Sequence, residues 1–178
     1  MRLLKGLEIS VIRLSDLHYP MRIEAEYYGK EHLALEKMLD AMPHRKLCEI
    51  QRRLTDGTHY TPNYTDAGVP FLSALNVLPN RLDFSVGHQF ISLTEHKILS
   101  RRCAPESGDV LLRKVGVGPR YAAVVPDGSP DFSIFVSVAL IRLKTDEMLP
   151  RYLATFINSR YGQQQLLRVQ KGMSQPDL

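Results

Sequence analysis

The chain has 178 residues, of which 44% are hydrophobic and 24% charged, a composition typical of one globular domain with a core of its own. Its formal net charge of +4 is compatible with a polyanionic partner without requiring one. The longest apolar run, residues 134–143, is interrupted by a serine and an arginine and is shorter than the ~20 residues that cross a bilayer, and the charged start lacks a cleavage site, so neither a membrane helix nor a secretory signal is expected.

The first third of the chain predicts a strand, a helix and a second strand. Residues 8–14 alternate between polar and apolar side chains, which is typical of a strand. Apolar residues at helical spacing predict a helix over residues 30–42, ended by Pro43. Residues 46–52 alternate again and predict a short strand. Together these elements form a lead-in to the rest of the chain.

A long polar loop follows at residues 55–70, with the sequence TDGTHYTPNYTDAGVP. Its glycine and proline turn formers, threonines and aromatic rings show neither a helical nor a strand period. The partly alternating residues 69–77 predict the next strand. Residues 88–102 predict a short strand and then a helical turn for which Thr94 is the N-cap.

The second half predicts three strands and then helices. One strand begins at Val110 and ends at the glycines of VGVGP, and a second covers residues 120–128. The third, at residues 133–143, is long and rich in β-branched residues, which favours a central position in the sheet. A helix follows with Pro150 in its first turn, and residues 163–170 continue as helix.

This order predicts a single α/β (α+β) domain over residues 1–178. Residues 1–45 form the strand and helix lead-in, and residues 46–178 form a body of mostly antiparallel sheet with helices at its C-terminal end. The apolar residues at matching positions predict the core: Phe71, Leu75, Val110, Leu112, Ile134, Val136, Val138, Leu140, Leu153 and Phe156.

The sequence contains none of the common catalytic or metal-binding patterns. The six histidines lie at no metal-ligand spacing, and Cys-x-x-Cys, His-Glu-x-x-His and Gly-x-Ser-x-Gly are absent. The VGVGP segment lacks the third glycine of a dinucleotide fingerprint, and no adenine methyltransferase motif of the Asn-Pro-Pro-Tyr type occurs. We therefore expect no catalytic residue, no metal and no cofactor, and a function in recognition. The two cysteines, Cys48 and Cys103, predict buried, reduced thiols and a cytoplasmic protein.

Five segments occur in an order and spacing that resemble a known family. They are LTDGTHYTPNYTDAGVPFLSALNV, FISLTEHKILSRR, PESGDVLLRKVGVGP, FVSVALIRL and LPRYLATFINSRYGQQQLLRVQKGMSQPDL, and RIEAEYYGKEHLALEKML precedes them. Residues 22–178 resemble a target recognition domain of a type I restriction–modification specificity subunit. No single segment is highly specific, whereas the ordered set is.

The resemblance implies a compact α/β body with a twisted, barrel-like sheet whose loops enter DNA. It also implies that the chain performs no catalysis and gives a methyltransferase or restriction complex its choice of one half of a bipartite site. The partners implied are double-stranded DNA, the DNA methyltransferase subunit and possibly the restriction subunit, with a homodimer as a further option and no membrane. In the family a long pairing helix follows each such domain. Here the sequence stops at GMSQPDL, so we expect that helix to be absent, and a whole subunit, an excised domain and a truncated gene all stay open.

The polar loop provides the first set of candidate DNA contacts. Threonine hydroxyls can meet phosphates, Gly57 would let backbone N–H groups approach a phosphate closely, and a histidine and a tyrosine could bond or stack at a base edge. The alternative is a surface turn without a ligand. The candidates in this loop are Thr55, Gly57, Thr58, His59, Tyr60 and Thr61.

Two further sets are basic. On the strand ending in RKVG, Arg113 and Lys114 point to opposite faces, and Lys114 is favoured for DNA. Near the C-terminus, glutamine can read adenine and lysine can meet guanine or a phosphate. This third set is Arg168, Lys171, Ser174 and Gln175. Ordinary solvated charge is the alternative for both sets.

Two rival functions fit the same residues. The chain could be the recognition module of a single-chain DNA adenine methyltransferase, or an oligomeric interaction domain that does not bind DNA. A separate methyltransferase gene beside this one would favour a specificity subunit, and an in-frame fusion would favour the first rival. Replacing Lys114 and Lys171 with alanine tests the second rival, because unchanged affinity for duplex DNA would show that the proposed face is wrong. The target DNA sequence does not follow from the residues.

Overall fold

The structure, a computed structural model, describes residues 8–17, 22–87, 89–116, 118–144 and 148–170. Within these ranges the protein is a mixed α/β domain with antiparallel sheets. Short 3₁₀ turns occur at Leu14–Asp16, Glu26–Tyr28 and Ala74–Asn76. The α-helices are α1 (Lys30–Asp40), α2 (Leu47–Ile50), α3 (Leu93–Ser100), α4 (Pro150–Asn158) and α5 (Arg160–Val169).

The strands of the described residues form three sheets and no closed barrel. The main sheet has the order β1-β10-β7-β8, the second β2-β6-β3-β9, and the third β4-β5. The strands are β1 (Gln51–Asp56), β2 (Tyr64–Thr65), β3 (Val69–Leu72), β4 (Val77–Leu78), β5 (Arg81–Leu82), β6 (Phe90–Ile91), β7 (Val110–Arg113), β8 (Ala122–Val124), β9 (Ser133–Ile134) and β10 (Val138–Leu143).

Strand β10 lies at the centre of the main sheet, as its sequence predicts. Leu140 pairs with Thr55 of β1 on one side and with Leu111 of β7 on the other, and all pairs in this sheet are antiparallel. A strand covered on both faces needs apolar side chains at every position rather than at alternate ones. Five of the six residues of β10 are fully buried, and only Arg142 is partly exposed.

The two faces of the main sheet carry separate hydrophobic clusters, because successive side chains of a strand point to opposite faces. Leu111 and Leu140 pack with Leu72 and Phe132 on one face. Val110 and Ile141 pack on the other face with apolar residues of α4, among them Leu153, Ala154 and Ile157. The sheet is thus a layer between α4 and the chain around β3, β4 and β9.

The second sheet is joined to the main one through the chain that leaves β1. Its strands β3 and β9 pair in parallel, with Phe71 opposite Ser133. An isolated parallel bridge between Thr58 and Phe135 continues the pairing just past β1. The polypeptide after β1 therefore crosses directly from the main sheet to the edge of β9.

Several predicted elements are confirmed. A helix covers most of residues 30–42, strands occur at 110–113, 122–124 and 138–143, and Pro150 is the first residue of α4. The C-terminal helix begins at Arg160 rather than at 163, because the Ser159 hydroxyl caps it by accepting a hydrogen bond from the Gly162 N–H at 3.2 Å.

Two predicted strands near the N-terminus were wrong. Residues 8–13 form no strand and pair with none of the described strands. Alternation alone does not form a strand when no neighbouring strand supplies hydrogen-bond partners. Residues 47–50 form a helical turn because the Glu49 carboxylate accepts hydrogen bonds from the Lys46 backbone N–H at 3.2 Å and from Arg45 Nε at 3.1 Å. The strand therefore begins at Gln51 and runs to Asp56, into the segment predicted to be loop.

Other boundaries differ because side chains compete with the β ladder. The predicted strand 69–77 ends at Leu72, where the Asn76 side chain accepts a hydrogen bond from the Ser73 N–H at 2.8 Å and closes a 3₁₀ turn. The N-cap of α3 is Ser92 and not Thr94, because the Ser92 hydroxyl accepts the Glu95 N–H at 3.1 Å. The long strand 133–143 is divided into β9 and β10 by a turn.

Seven of the ten predicted core residues are fully buried, but three are not. Leu75 is 63% exposed because the 3₁₀ turn directs it outward. Val136 and Phe156 are half-buried. The two cysteines are free thiols; Cys103 is buried as predicted, and burial raises its pKa to about 11, whereas Cys48 is exposed. No helix in the described ranges is both long and apolar enough to cross a membrane.

Candidate nucleic-acid interface

Three basic side chains converge on one carboxylate at the end of β1. Asp56 Oδ1 accepts a hydrogen bond from Arg102 Nη2 at 2.6 Å and lies 3.0 Å from His59 Nε2. Asp56 Oδ2 accepts from Lys114 Nζ at 3.0 Å. We refer to Asp56, His59, Arg102 and Lys114 as the Asp56 cluster. Its members come from segments far apart in the chain.

The strand order of the main sheet produces this convergence. Strands β1 and β7 both run antiparallel to β10, so their C-terminal ends lie at the same end of the sheet, opposite Ala139 and Val138. Asp56 is the last residue of β1, and Lys114 directly follows β7, where its backbone N–H bonds to the Ser137 carbonyl at 3.0 Å. Arg102 is brought to the same place by the turn that ends α3.

The electrostatics of the cluster favour an ionised Asp56. Burial by itself would raise the pKa of Asp56, but the hydrogen bonds from His59 and Lys114 outweigh it and hold the pKa below its ordinary value. Without counting His59, one carboxylate faces the two cations Arg102 and Lys114, so the cluster has a net positive charge. Arg53 adds a third cation nearby, because its Nη2 donates to the Arg102 carbonyl.

Two side chains of the cluster are largely buried and two are exposed. The Asp56 and Lys114 side chains are each 16% exposed, whereas those of Arg102 and His59 are 56% and 57% exposed. Tyr60, beside His59 in sequence, is also exposed and donates its hydroxyl to Glu95 of α3 at 2.8 Å. Hydrogen bonding to Glu95 raises the pKa of Tyr60. Two exposed polar side chains and an aromatic ring therefore lie at this end of the main sheet.

Gly57 and Thr58 serve the fold rather than an open surface. The Gly57 N–H bonds to the Val138 carbonyl, and a Cβ at this position would lie 1.9 Å from the Ile134 carbonyl oxygen. The glycine is needed because the chain crosses the backbone of β9 here. Its N–H is not open to a phosphate, contrary to the sequence-based expectation.

The Thr58 hydroxyl is buried and is used within the loop. It donates to the Tyr60 carbonyl at 3.2 Å and accepts the Tyr60 N–H at 3.3 Å. Thr55 lies on β1 and is half-buried, and Thr61 is exposed. Of the predicted loop residues, His59, Tyr60 and Thr61 are therefore the ones whose positions leave them accessible to DNA.

The two basic residues at the end of β7 lie in different surroundings. Lys114 pairs with Asp56. The Arg113 guanidinium lies beside Gly116, and its Nη2 is 3.2 Å from the position that a Cβ on Gly116 would occupy. The glycine-rich loop itself is folded around the buried guanidinium of Arg120, which donates to the carbonyls of Gly116 and Gly118. Lys114 belongs to the Asp56 cluster, and Arg113 belongs to this loop.

Arg168 is used inside the domain. Its Nε donates to the Tyr27 carbonyl at 2.9 Å, its Nη1 and Nη2 lie 3.1 Å from Glu36, and the guanidinium carbon lies 4.2 Å from the centre of the Tyr27 ring. Its side chain is only 10% exposed. Arg168 thus ties α5 to α1 and the lead-in and is poorly placed for DNA. Lys171, Ser174 and Gln175 lie outside the described residues.

The sequence analysis missed the two residues at the centre of the cluster. Asp56 was treated as part of a polar loop, and the pair Arg101 and Arg102 as weaker candidates that were either contacts to the DNA backbone or ordinary surface. Their partners are 46 and 58 positions away in the chain, so no local pattern indicates the contact. Asp56 lies in the segment predicted to be loop, so the sequence held no signal for its position at the end of a strand.

Within the described residues, no group of three or more histidine, cysteine, aspartate or glutamate side chains could hold a metal ion.

No protein-family model matches the chain, and a search of curated proteins found no significant match.

Proposed function

We propose that this protein is a sequence-specific DNA recognition domain of the kind found in type I restriction–modification specificity subunits. It would direct a methyltransferase or restriction complex to one half of a bipartite site and would contribute no catalytic residue. The observation that carries the proposal is the Asp56 cluster, in which exposed basic groups are held in fixed positions on the end of a sheet.

Three properties of the cluster support DNA as the ligand. It keeps a positive charge after its internal ion pairs are counted, which attracts the phosphate backbone. Its exposed member Arg102 carries N–H donors for the acceptors on base edges, and His59 adds an exposed polar ring beside it. Tyr60 adds an exposed aromatic ring beside them, which can make apolar contacts to base edges.

The partners in the proposal are double-stranded DNA, a methyltransferase subunit and possibly a restriction subunit, all in the cytoplasm. The two four-stranded sheets, joined at the Thr58–Phe135 bridge, would be the two parts of the barrel-like sheet that the resemblance implies. Methylation of adenine requires the base to leave the helix, and the partner subunit would perform that step.

The test is modified-base sequencing of the source genome with the gene intact and with it deleted. We expect a bipartite methyladenine motif to disappear on deletion and to return with the intact gene. A copy carrying Lys114→Ala is expected to restore less methylation than a copy carrying Arg160→Ala, which removes an exposed cation from α5. An unchanged methylation pattern after deletion would contradict the proposal.

A second candidate, an oligomeric interaction domain, is favoured by four exposed apolar side chains near the two last helices. They lie on α4, on α5 and just before α4, and exposed apolar surface is one mark of a protein contact. Sedimentation of the purified chain alone measures its oligomeric state. Self-association without duplex binding would favour this candidate. The exposed side chains are Leu149, Tyr152, Tyr161 and Leu167.

A further inference from the structure

The Arg102 guanidinium is held on one side and accessible on the other. Its side-chain hydrogen bond within the described residues runs from Nη2 to Asp56 Oδ1 at 2.6 Å, and His59 Nε2, which donates to the same oxygen at 3.0 Å, lies 3.1 Å from Nη2. An arginine carries five N–H donors. With more than half of its side chain exposed, Arg102 can offer the second Nη2 N–H together with the N–H beside it to a ligand.

Arg102 is also fixed at its backbone. Its N–H donates to the Leu99 carbonyl at 3.0 Å in the turn that ends α3, and its carbonyl accepts from Arg53 Nη2. An unrestrained arginine carries about 2 kcal/mol of rotamer entropy. Holding both the backbone and the guanidinium removes part of the cost of ordering this side chain on binding.

Asp56 is itself restrained, so it acts as an anchor and not as a mobile partner. Lys114 bonds to one carboxylate oxygen and His59 lies against the other. Two of the contacts to Asp56 therefore come from residues other than Arg102. A change in Arg102 would leave those two contacts in place.

The carboxylate also helps to distinguish between the two kinds of ligand that DNA offers. A phosphate beside Arg102 would approach the negative charge of Asp56, and like charges repel at short range. A base edge is neutral and avoids that repulsion. Guanine presents two acceptors, O6 and N7, in the major groove, and bidentate donation from arginine is the commonest specific contact to them.

We infer that Arg102 is a specificity-determining residue that reads one guanine of the target through its major-groove edge, and that Asp56 is the positioning residue that orients it. The inference rests on the proposed function, because it requires that the chain bind duplex DNA by sequence. It assigns base reading to a residue that follows α3 rather than to the threonine-rich loop.

The experiment begins with the full chain and a pool of randomised DNA duplexes. Repeated selection and sequencing give the preferred motif of the unaltered protein, and the same selection is performed with Arg102→Gln. We expect the variant to lose the preference for guanine at one position only. Its affinity for the original motif should fall roughly 5- to 150-fold, the equivalent of about 1–3 kcal/mol.

Arg101→Gln is the matched control, since it removes the same charge from the neighbouring exposed position. We expect this variant to keep the motif. A second measurement uses the unaltered protein and motif duplexes in which 7-deazaguanine, which lacks the N7 acceptor, replaces each guanine in turn. One replacement should weaken binding by the unaltered protein and leave binding by Arg102→Gln unchanged.

The outcomes separate the two proposals. If the unaltered chain selects a motif and Arg102→Gln selects the same guanines, the inference is overturned while the proposed function stands. If the unaltered chain selects no motif, both fail. Should Arg102→Gln not fold, as judged by its thermal transition, the duplexes with 7-deazaguanine decide: equal affinity at every replaced guanine overturns the inference.

Discussion

At the scale of single residues, Gly57 is the glycine with the least room for a side chain among the described glycines. A Cβ there would lie 1.9 Å from the Ile134 carbonyl oxygen, and a backbone atom cannot move aside as a side chain can. We expect Gly57→Ala to lower the free energy of unfolding by at least about 1–3 kcal/mol, the usual cost of overpacking. Urea denaturation followed by circular dichroism measures it.

Gly29→Ala is the control for this substitution. A Cβ at Gly29 meets nothing closer than the Glu26 carbonyl oxygen at 3.4 Å, an ordinary contact. Gly29 is the N-cap of α1, where alanine is less favourable than glycine, so a loss of up to about 1 kcal/mol is expected. Equal losses in the two variants would show that the crossing over β9 is looser than described.

Asp56 makes stability depend on pH in a predictable direction. The pKa of its carboxyl is below its ordinary value in the folded protein. Such a group stabilises the fold above the unfolded-state pKa, here 3.8, and the contribution is lost as the pH falls through the lower, folded pKa. At pH 7 we expect Asp56→Asn to lower the free energy of unfolding by roughly 1–3 kcal/mol, because the cations of the cluster lose their carboxylate.

The difference between Asp56→Asn and the unaltered protein should therefore shrink as the pH falls below about 4. Urea midpoints at pH 7, 5 and 3 measure this difference. Asp66→Asn, a change at an exposed loop carboxylate, is expected to behave like the unaltered protein at all three pH values. A constant difference for Asp56→Asn would mean that its charge does not stabilise the fold.

At the scale of elements, one buried ion pair fastens β10 to the turn before β7. Asp109 is 2% exposed, and its two carboxylate oxygens each accept a hydrogen bond from Arg142 at 2.8 Å. Bonding to Asp109 raises the pKa of Arg142. We expect Asp109→Ala to lower the free energy of unfolding by about 3–5 kcal/mol, because the Arg142 charge is left without its closest partner.

Glu106 provides the matched comparison for Asp109. It also pairs with Arg142, at 2.9 Å, but its side chain is 63% exposed. Exposed pairs contribute about 1 kcal/mol or less, so Glu106→Ala is expected to shift the urea midpoint only slightly. A large effect at Glu106 and a small one at Asp109 would contradict the assignment of the buried pair.

At the scale of the whole molecule, Arg168 joins the C-terminal helix to the lead-in. Its guanidinium contacts Glu36, the Tyr27 carbonyl and the Tyr27 ring, and Arg22 lies 4.3 Å from the same ring. We expect Arg168→Met to cost roughly 1.5–3 kcal/mol, the usual value for hydrogen bonds to charged groups. The loss should appear in hydrogen exchange as weaker protection of α1 and α5 than of the main sheet.

Arg160→Met is the control for this prediction, because Arg160 is exposed at the start of the same helix. It should leave the exchange pattern unchanged. If Arg168→Met weakens protection equally in every element, the lead-in is part of the same cooperative unit as the sheet, and the prediction of a separate weakening is wrong.

The sequence predicted elements better than contacts. Strand β10 and helix α4 could be found because a continuous run of apolar residues and a helical spacing of apolar residues are local signals. The position of β1 could not be found in the same way. The turn closed by Glu49 delays the start of the strand to Gln51, and residue propensities do not indicate such a turn. The Asp56 cluster depends on strand order, and Arg168 on a contact across the whole domain. Such long-range contacts leave no trace in neighbouring residues.

The contact between Tyr27 and Arg168 also has a consequence for the order of events during synthesis. The two residues are 141 positions apart. A ribosome adding about 5–20 residues per second needs roughly 7–28 s to pass from one to the other. During that time the lead-in has no helix α5 on which to dock. The main sheet can pair earlier, so we expect the lead-in to reach its final place last, with the Tyr27 ring accessible to chaperones until Arg168 has been made.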